Sequence, residues 1–180
     1  MRAVIDACAL YPTVLRQILS GVADAGLITP LWSDRLLAEW AGVAARNGPE
    51  DAIVAKGEIA LLRTRFPAAC IPADPVLEAG LLLPDLGDIH VLATAISGSA
   101  QAIVTLNLRD FPMRELAPHG LRAVHPDALL YDLWLAQPES VSTATHAVHA
   151  EAERLSGTAI PLRSLMKRAR LPRLAKALAG

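Results

Sequence analysis

Asp6 is the first residue of this 180-residue chain whose type and position indicate chemistry. It directly follows the predicted strand Arg2–Ile5, which is mostly apolar. A carboxylate at the end of a buried strand costs free energy unless it is paired, hydrogen-bonded or bound to a metal ion. Asp6 lies six residues before Pro12, where a helix is predicted to begin, and this is too early for a helix cap. We therefore favour a functional role for Asp6.

The segment PDLGDIHVLATA, residues 84–95, begins with two carboxylates and continues as a buried apolar helix. An aspartate at a helix start can cap backbone N–H groups and is also favoured there by the helix dipole. One cap would suffice, and Asp85 could supply it as well as Asp88 can. The sequence therefore leaves two interpretations of Asp88 open, a helix cap or a chemical group.

Glu39 lies in the predicted helix SDRLLAEWAGV, at the edge of its apolar stripe. A carboxylate in this position is, by itself, typical of a solvated helix face. Glu39 becomes a candidate for a shared site only if Asp6 and Asp88 belong to that site as well.

Asn107 and Asp110, in the stretch VTLNLRDFP, follow the clearest strand of the sequence. Both residue types favour turns for backbone reasons, so a turn before Pro112 explains them equally well. Their position beside the other candidates makes them, with Asp85, additional members of the candidate site.

Oxygen-donor side chains without a histidine or cysteine cluster suit a hard cation such as Mg²⁺ or Mn²⁺. Such ions can activate a water and stabilise the leaving oxygen of a phosphodiester. Without a metal ion the carboxylates repel one another, which predicts raised proton affinity in the metal-free protein. His90 is interpreted as a packing or hydrogen-bonding residue, because no second histidine stands at ligand spacing.

The elements that must position these residues alternate between strands and helices, which predicts a parallel sheet covered by helices on both faces. Functional groups gather beyond the carboxyl ends of the strands in such sheets. Strands are predicted at residues 2–5, within AACIPADP, at 102–106 and at 121–124. Helices are predicted from Pro12, at residues 34–46, at 50–65, from Asp88 to Gly98, within MRELAPHG, from Pro126 and from Pro138.

Composition excludes several classes of protein. The chain is 53% hydrophobic with a formal net charge of −1, which excludes a disordered acidic or basic chain. No apolar run approaches the roughly 20 residues that a membrane span needs, and the first residues lack a secretory signal's apolar region. The cytoplasm is therefore the expected location. Cys8 and Cys70 are interpreted as small buried apolar residues rather than as a disulfide or zinc ligands.

Two domains are predicted, a catalytic domain at residues 1–135 and a helical, basic extension at 136–180. From Pro161 onward the extension carries six lysines and arginines and no acid. These cations could bind the phosphates of a nucleic acid, with Lys167, Arg168 and Arg170 as candidates together with Arg109 and Arg114. Alternatively, the leucines of this segment dock it on the body of the protein and its charges are merely solvated.

The stretches AVIDACALYP, WSDRLLAEW, LPDLGDIHVLATAISGSAQAIVTLNLRDFP and VHPDALL occur in the order typical of one family. Over roughly residues 1–135 the chain resembles the PIN domain family, and within it the VapC-like ribonuclease toxins. The resemblance implies a three-layer α/β/α sandwich with a central parallel sheet. It also implies a metal-binding acidic site in which the first three acids fall on Asp6, Glu39 and Asp88.

The resemblance further implies an endoribonuclease that uses Mg²⁺ or Mn²⁺ and is the toxin of a type II toxin–antitoxin system. RNA is then the substrate, and an antitoxin protein and a second copy of the chain are the expected partners, with no membrane. The fourth site position, often an acid in this family, is Asn107 here, with Asp110 next to it. Cys8 and Gly87 depart from the family pattern as well.

Asn107 also keeps a second interpretation open, a catalytically weak or inactive PIN-like protein that serves as a binding module. A phosphatase with Asp6 as its nucleophile is disfavoured, because the acid that such sites carry two residues later is Cys8 here.

Overall fold

Four short strands form one parallel sheet in the order β2-β1-β3-β4 in the computed structural model, which describes residues 1–179. The strands are β1 (Arg2–Ile5), β2 (Thr29–Leu31), β3 (Ala102–Val104) and β4 (Arg122–Val124). Ala3 lies opposite Pro30 on one side and opposite Ala102 on the other. The central strands β1 and β3 are almost fully buried, as expected of a parallel sheet.

Helices make up most of the remaining described chain. Those from the first part are α1 (Ala7–Leu10), α2 (Thr13–Asp24), α3 (Asp34–Asn47), α4 (Pro49–Arg65), α5 (Pro75–Ala79), α6 (Ile89–Ser97) and α7 (Met113–Leu116). Those from the second part are α8 (Pro126–Ala136), α9 (Pro138–Ser156), α10 (Leu162–Arg168) and α11 (Pro172–Ala177). Single 3₁₀ turns occupy Leu86–Asp88, Leu108–Asp110 and Ala117–His119. The predicted α/β/α class, with a central parallel sheet and a helical C-terminal extension, is confirmed.

Two of the predicted strands differ from the structure. The stretch AACIPADP forms no strand and contributes only an isolated bridge between Cys70 and Trp32. Pro72 and Pro75 account for this, because proline donates no hydrogen bond to a neighbouring strand. The strand predicted at 102–106 ends at Val104. Thr105 still donates its backbone N–H to Val124, but the chain then turns away from the sheet.

The chain divides into two compact units, and the first comprises Met1–Tyr11 and Thr29–Val124. This unit contains the whole sheet together with α1 and α3–α7. Its core consists of aliphatic side chains from β1 and β3 and the buried faces of α3 and α6. Ser33 caps α3 by accepting a hydrogen bond from Leu36 N, as its position before the helix predicted.

The second unit comprises Pro12–Ile28 and the described residues from His125 onward. It is entirely helical and contains α2 and α8–α11. Helices α2 and α9 approach closely at Gly21, where an added Cβ would lie 2.9 Å from Cβ of Ala144. A glycine is therefore needed at this crossing. The predicted domain boundary between residues 135 and 136 stays a prediction.

No helix among the described residues is both long enough and apolar enough to cross a membrane.

Candidate functional site

Asp6 lies immediately after β1 and is 7% exposed. Its backbone N–H donates to Val104 O at 3.0 Å, which extends the pairing with β3 by one residue. Its side-chain Oδ2 accepts hydrogen bonds from Thr105 Oγ1 at 2.7 Å and from Cys8 Sγ at 2.9 Å. The carboxylate that the sequence singled out is therefore buried, hydrogen-bonded and fixed in direction at the end of the sheet.

Cys8 and Thr105 are the two side chains that donate hydrogen bonds to the carboxylate of Asp6. Burial, reinforced by the charge of Asp6, raises the pKa of the Cys8 thiol to about 12, so the thiol keeps its proton. Leu106 N donates to Cys8 Sγ at 3.2 Å, and Asn107 N donates to Thr105 Oγ1 at 3.0 Å. These bonds tie the end of β1 to the residues that follow β3.

Both cysteines differ from the sequence interpretation. Cys8 is partly buried and hydrogen-bonded rather than a simple apolar residue, and Cys70 is exposed. Both cysteines are free thiols in the structure. Thr105 was missed, although a hydroxyl at the end of a buried strand is a signal that could have indicated its role.

Glu39 lies on α3 with its side chain 40% exposed. Its Oε1 lies 2.8 Å from Nε2 of His90 and 3.5 Å from Nε of Arg35. Burial raises the pKa of Glu39, the charge of Arg35 opposes this shift, and the charge of Asp6 adds to it. Glu39 is thus close enough to Asp6 for the two carboxylates to repel each other.

The imidazole of His90 is buried in the first unit and lies beside the carboxylate of Glu39. The ring is 2% exposed, and burial, followed by the charge of Arg35, lowers the pKa of His90 to about 4. The imidazole is therefore neutral near pH 7, and its contact with Glu39 is not an ion pair there. The contact also lacks hydrogen-bond geometry, since neither ring nitrogen has a hydrogen-bond partner among the described residues.

Asp85 and Asp88 have separate roles. Asp85 caps the 3₁₀ turn, because its Oδ1 accepts from Gly87 N at 2.8 Å. The Asp88 side chain makes no capping hydrogen bond to the described residues of α6, although Asp88 stands directly before that helix. The side chain of Asp88 is therefore not a hydrogen-bonding cap, whereas its place before α6 still suits the helix dipole.

The carboxylates that the sequence singled out form one acidic cluster, which we define as Asp6, Glu39, Asp85, Asp88 and Asp110. Burial raises the pKa of Asp88 to about 6, and the charges of the other four members add to this shift. Residues far apart in the sequence thus repel one another through space. The predicted rise in proton affinity is seen at Asp88 and, in direction, at Glu39.

Asn107 and Asp110 begin and end the 3₁₀ turn after β3, in agreement with the turn interpretation. Asp110 N donates to Asn107 O at 3.2 Å. With Arg109 they line an open cavity of about 450 Å³, to which Leu106 and Leu108 contribute as well. The side chain of Asn107 is exposed, so a ligand could reach its amide.

The donor set of the cluster matches a hard cation in its chemistry, because it offers carboxylate oxygens with excess negative charge. Within residues 1–179, however, no three side chains of the types His, Cys, Asp and Glu stand close enough to hold an ion directly. A cation at this cluster would accordingly need water molecules among its ligands. Such partial hydration is common for Mg²⁺ in proteins.

The basic candidates are divided between the two units. Arg109 and Arg114 are exposed on the first unit, and Arg114 lies 2.8 Å from Glu115. Lys167, Arg168 and Arg170 are exposed on the second unit, at or just after the end of α10. The leucines of this segment behave as the docking alternative predicted, since Leu165, Leu171 and Leu174 are buried.

Comparisons with known proteins identify the family of this chain. The PIN domain family model matches residues 2–109, a range that contains the whole acidic cluster except Asp110. The chain is 44% identical over 61 residues to "Putative ribonuclease VapC50" of Mycobacterium tuberculosis (strain ATCC 25618 / H37Rv). That match covers 34% of this chain and 34% of the relative, so the chain spans about a third of the curated relative that it matches. No solved structure gives a significant match.

A family match that covers more than half of the chain shows that this chain belongs to the PIN domain family.

Proposed function

We propose that this chain is a metal-dependent endoribonuclease that hydrolyses RNA phosphodiester bonds as the toxin of a type II toxin–antitoxin system. The observation that carries the proposal is the acidic cluster around Asp88, whose pKa burial raises to about 6 and to which the charges of the other four carboxylates add. Groups whose pKa values are strongly shifted by burial and by neighbouring charges cluster at functional sites. Membership of the PIN domain family and the similarity to a protein named a ribonuclease support the same conclusion.

Asp6, Glu39 and Asp88 would hold Mg²⁺ or Mn²⁺, directly or through waters. Burial raises the pKa of Asp88 and the neighbouring carboxylates add to the shift; a cation at this point would offset their charges, so the residues fit the ion electrostatically. The chemistry supplied by such an ion is a lower pKa for an attacking water and stabilisation of the charge on the phosphate.

The protein's own groups would arrange the reaction. Thr105 and Cys8 fix the direction of Asp6, and the guanidinium of Arg35 lies beside the carboxylate of Glu39. Fixed carboxylates lower the entropic cost of positioning the reacting groups.

The exposed amide of Asn107 would orient a water or a phosphate oxygen at the edge of the cluster. Asp85 and Asp110 would add negative charge at the rim. Arg109 and Arg114 would bring the RNA backbone to a site that, by its own charge, repels it.

The partners follow from the same proposal. An RNA strand is the substrate, a small antitoxin protein neutralises the chain, and two copies of the chain form a homodimer. The proposed place of action is the cytoplasm.

The deciding experiment measures cleavage of a labelled single-stranded RNA with Mn²⁺ and with EDTA. Asp6→Asn is expected to abolish the Mn²⁺-dependent cleavage while its circular dichroism spectrum stays that of the parent. Asp51→Asn, a change of an exposed aspartate on α4, serves as the matched control and should cleave like the parent. Equal cleavage by Asp6→Asn and the parent would exclude the proposed site.

A second candidate function, a PIN-like binding module without catalytic activity, is favoured by Asn107 and by the lack of a direct three-ligand group among the described residues. The two functions differ in their response to metal ions. The nuclease should gain thermal stability from Mg²⁺ or Mn²⁺, because an ion that binds only the folded chain stabilises it. A binding module should show no such gain.

A further inference from the structure

A cavity of about 460 Å³ lies within the second unit, between α8 and α11. Two aromatic side chains of α8, Tyr131 and Trp134, form one wall. Arg173, Lys176 and Ala177 of α11 form the other. The cavity therefore combines flat apolar rings with two positive charges.

The aromatic wall is an ordered stack. The rings of Tyr131 and Trp134 lie 6.1 Å apart between centroids, with 21° between their planes. The guanidinium of Arg173 lies 4.6 Å from the centroid of the Tyr131 ring, which is cation–π geometry. The side chains thus hold one another in place before any ligand arrives.

The cationic wall is anchored by a buried carboxylate. Asp127, which is 4% exposed, accepts hydrogen bonds from Arg173 N at 3.1 and 3.0 Å and from Leu174 N at 3.1 Å. Leu171 and Leu174 on the same segment are fully buried. Helix α11 is therefore fixed against α8, and the cavity is preformed.

The charge of the surrounding segment selects an anion. From Pro161 onward the sequence contains six lysines and arginines and no acid. An anionic ligand would satisfy Arg173 and Lys176, but only one with flat, exposed rings would also use the stacked wall. Single-stranded RNA combines both features, since its bases stack on aromatic side chains while its phosphates bind cations. An acidic peptide lacks the rings, and a double-stranded RNA hides its base faces.

We propose that this cavity binds a single-stranded segment of the RNA substrate. A base stacks on Trp134, and phosphates contact Arg173 and Lys176. The proposal rests on the proposed ribonuclease function and assigns substrate binding to a surface separate from the acidic cluster. It also assigns specific RNA contacts to two cations of the basic C-terminal segment, instead of a general electrostatic attraction between that segment and RNA.

Tryptophan fluorescence offers a direct test on the full-length chain. Of the three tryptophans, Trp32 and Trp40 are 1% and 2% exposed, whereas Trp134 is partly exposed in the cavity. The parent protein is titrated in EDTA with an oligouridylate of about 12 nucleotides, a length within the usual range for such sites. We expect the oligouridylate to quench the tryptophan fluorescence of the parent saturably. The fluorescence of Trp134→Phe should not be quenched, because its stacking residue is phenylalanine and its two remaining tryptophans are buried.

Binding measured by anisotropy of a labelled oligouridylate gives the second readout. Trp134→Ala should weaken binding by roughly 5- to 100-fold, the range found when a stacking residue is removed. Lys176→Ala should lower the slope of log affinity against log salt concentration by about one. Lys56→Ala, an exposed lysine on α4, is the matched control and should leave affinity and quenching unchanged. Trp134→Phe, which keeps an aromatic ring, separates lost stacking from misfolding.

Two results would overturn the proposal. One is the absence of quenching in the parent together with unchanged affinity in Trp134→Ala. The other is equal quenching by a polyaspartate of similar charge, which would make the cavity a site for acidic chains in general. Metal-dependent cleavage is measured in parallel. Cleavage without quenching contradicts this cavity alone, whereas quenching without cleavage contradicts the proposed ribonuclease function alone.

Discussion

Thr105 donates its hydroxyl to Oδ2 of Asp6 at 2.7 Å, across 99 residues of sequence. Thr105 follows β3 and Asp6 follows β1, and these strands are neighbours in the parallel sheet. The bond therefore exists because the register of the sheet brings the two strand ends together. It holds the most buried carboxylate of the acidic cluster in one orientation.

Removal of this hydroxyl should disturb both stability and the proposed activity. Thr105→Val keeps the shape of the side chain but leaves the buried Asp6 with one donor fewer. We expect the free energy of unfolding in urea to fall by about 1–3 kcal/mol. Metal-dependent RNA cleavage should fall by roughly ten- to hundredfold, because a misdirected carboxylate misplaces the reacting groups. Thr105→Ser keeps the hydroxyl and should retain most of both properties.

Asp88→Asn should stabilise the metal-free protein at pH 7. The Asp88 carboxylate faces the charges of Asp6, Asp85, Asp110 and Glu39, and an amide in its place removes that repulsion. Thermal denaturation in EDTA should give a higher melting temperature for the variant than for the parent, whereas the control Asp51→Asn should not. A variant less stable than the parent at this pH would contradict the repulsion.

The same carboxylate predicts a pH dependence. The pKa of Asp88 is about 6 in the folded protein, whereas its ordinary value is 3.8. Between pH 3.8 and pH 6 the folded state therefore holds a proton on Asp88 that the unfolded state has released. The contribution of Asp88 to stability is therefore fully present below pH 3.8 and is lost as the pH rises through 6. The stability advantage of Asp88→Asn over the parent should shrink in EDTA when the pH is lowered from 7 to 5.

The sequence predicted the longer helices and three of the four strands, whereas β2 and the short helices α1, α5, α10 and α11 were missed. Helices such as α3 and α9 could be read from periodicity, caps and the glycine or proline at their ends, since these signals are local. The separation of roles between Asp85 and Asp88 could not, because either residue can cap a turn. The bond between Thr105 and Asp6 depends on strand register, which no local pattern specifies.

The second unit shows the same limit. Residues 12–28 join the described residues from His125 onward in one compact helical unit, although the sequence predicted a division near residue 135. The predicted domain boundary near residue 135 stays a prediction. The close approach at Gly21 and Ala144 depends on packing between segments more than 100 residues apart. Periodicity within each helix gives its apolar face but not its partner.

Asn107→Asp tests the departure at the fourth site position. A fourth carboxylate near the cluster should strengthen Mn²⁺ binding, because it adds a negative oxygen donor. The same change should lower the melting temperature in EDTA at pH 7 by adding to the repulsion. Asn107→Ala should weaken Mn²⁺ binding or leave it unchanged. Equal Mn²⁺ affinity in Asn107→Asp and the parent would place residue 107 outside the ion's reach.

Asp127→Ala should release α11 from α8. The substitution removes the carboxylate that accepts hydrogen bonds from the backbone N–H groups of Arg173 and Leu174. We expect a loss of about 1–3 kcal/mol in the free energy that protects these amides from hydrogen exchange. Asp132→Ala, an exposed aspartate on the same helix, is the control. Unchanged exchange of both amides in Asp127→Ala would contradict the proposed anchor.

Titration calorimetry with Mn²⁺ near pH 7 tests the central claim most directly, because the claim is that acids from distant parts of the chain share one cation. The account predicts saturable binding by the parent and by Asp51→Asn, and its loss in Asp6→Asn and in Asp88→Asn. Binding of equal strength by the parent and by the double variant Asp6→Asn/Asp88→Asn would contradict it.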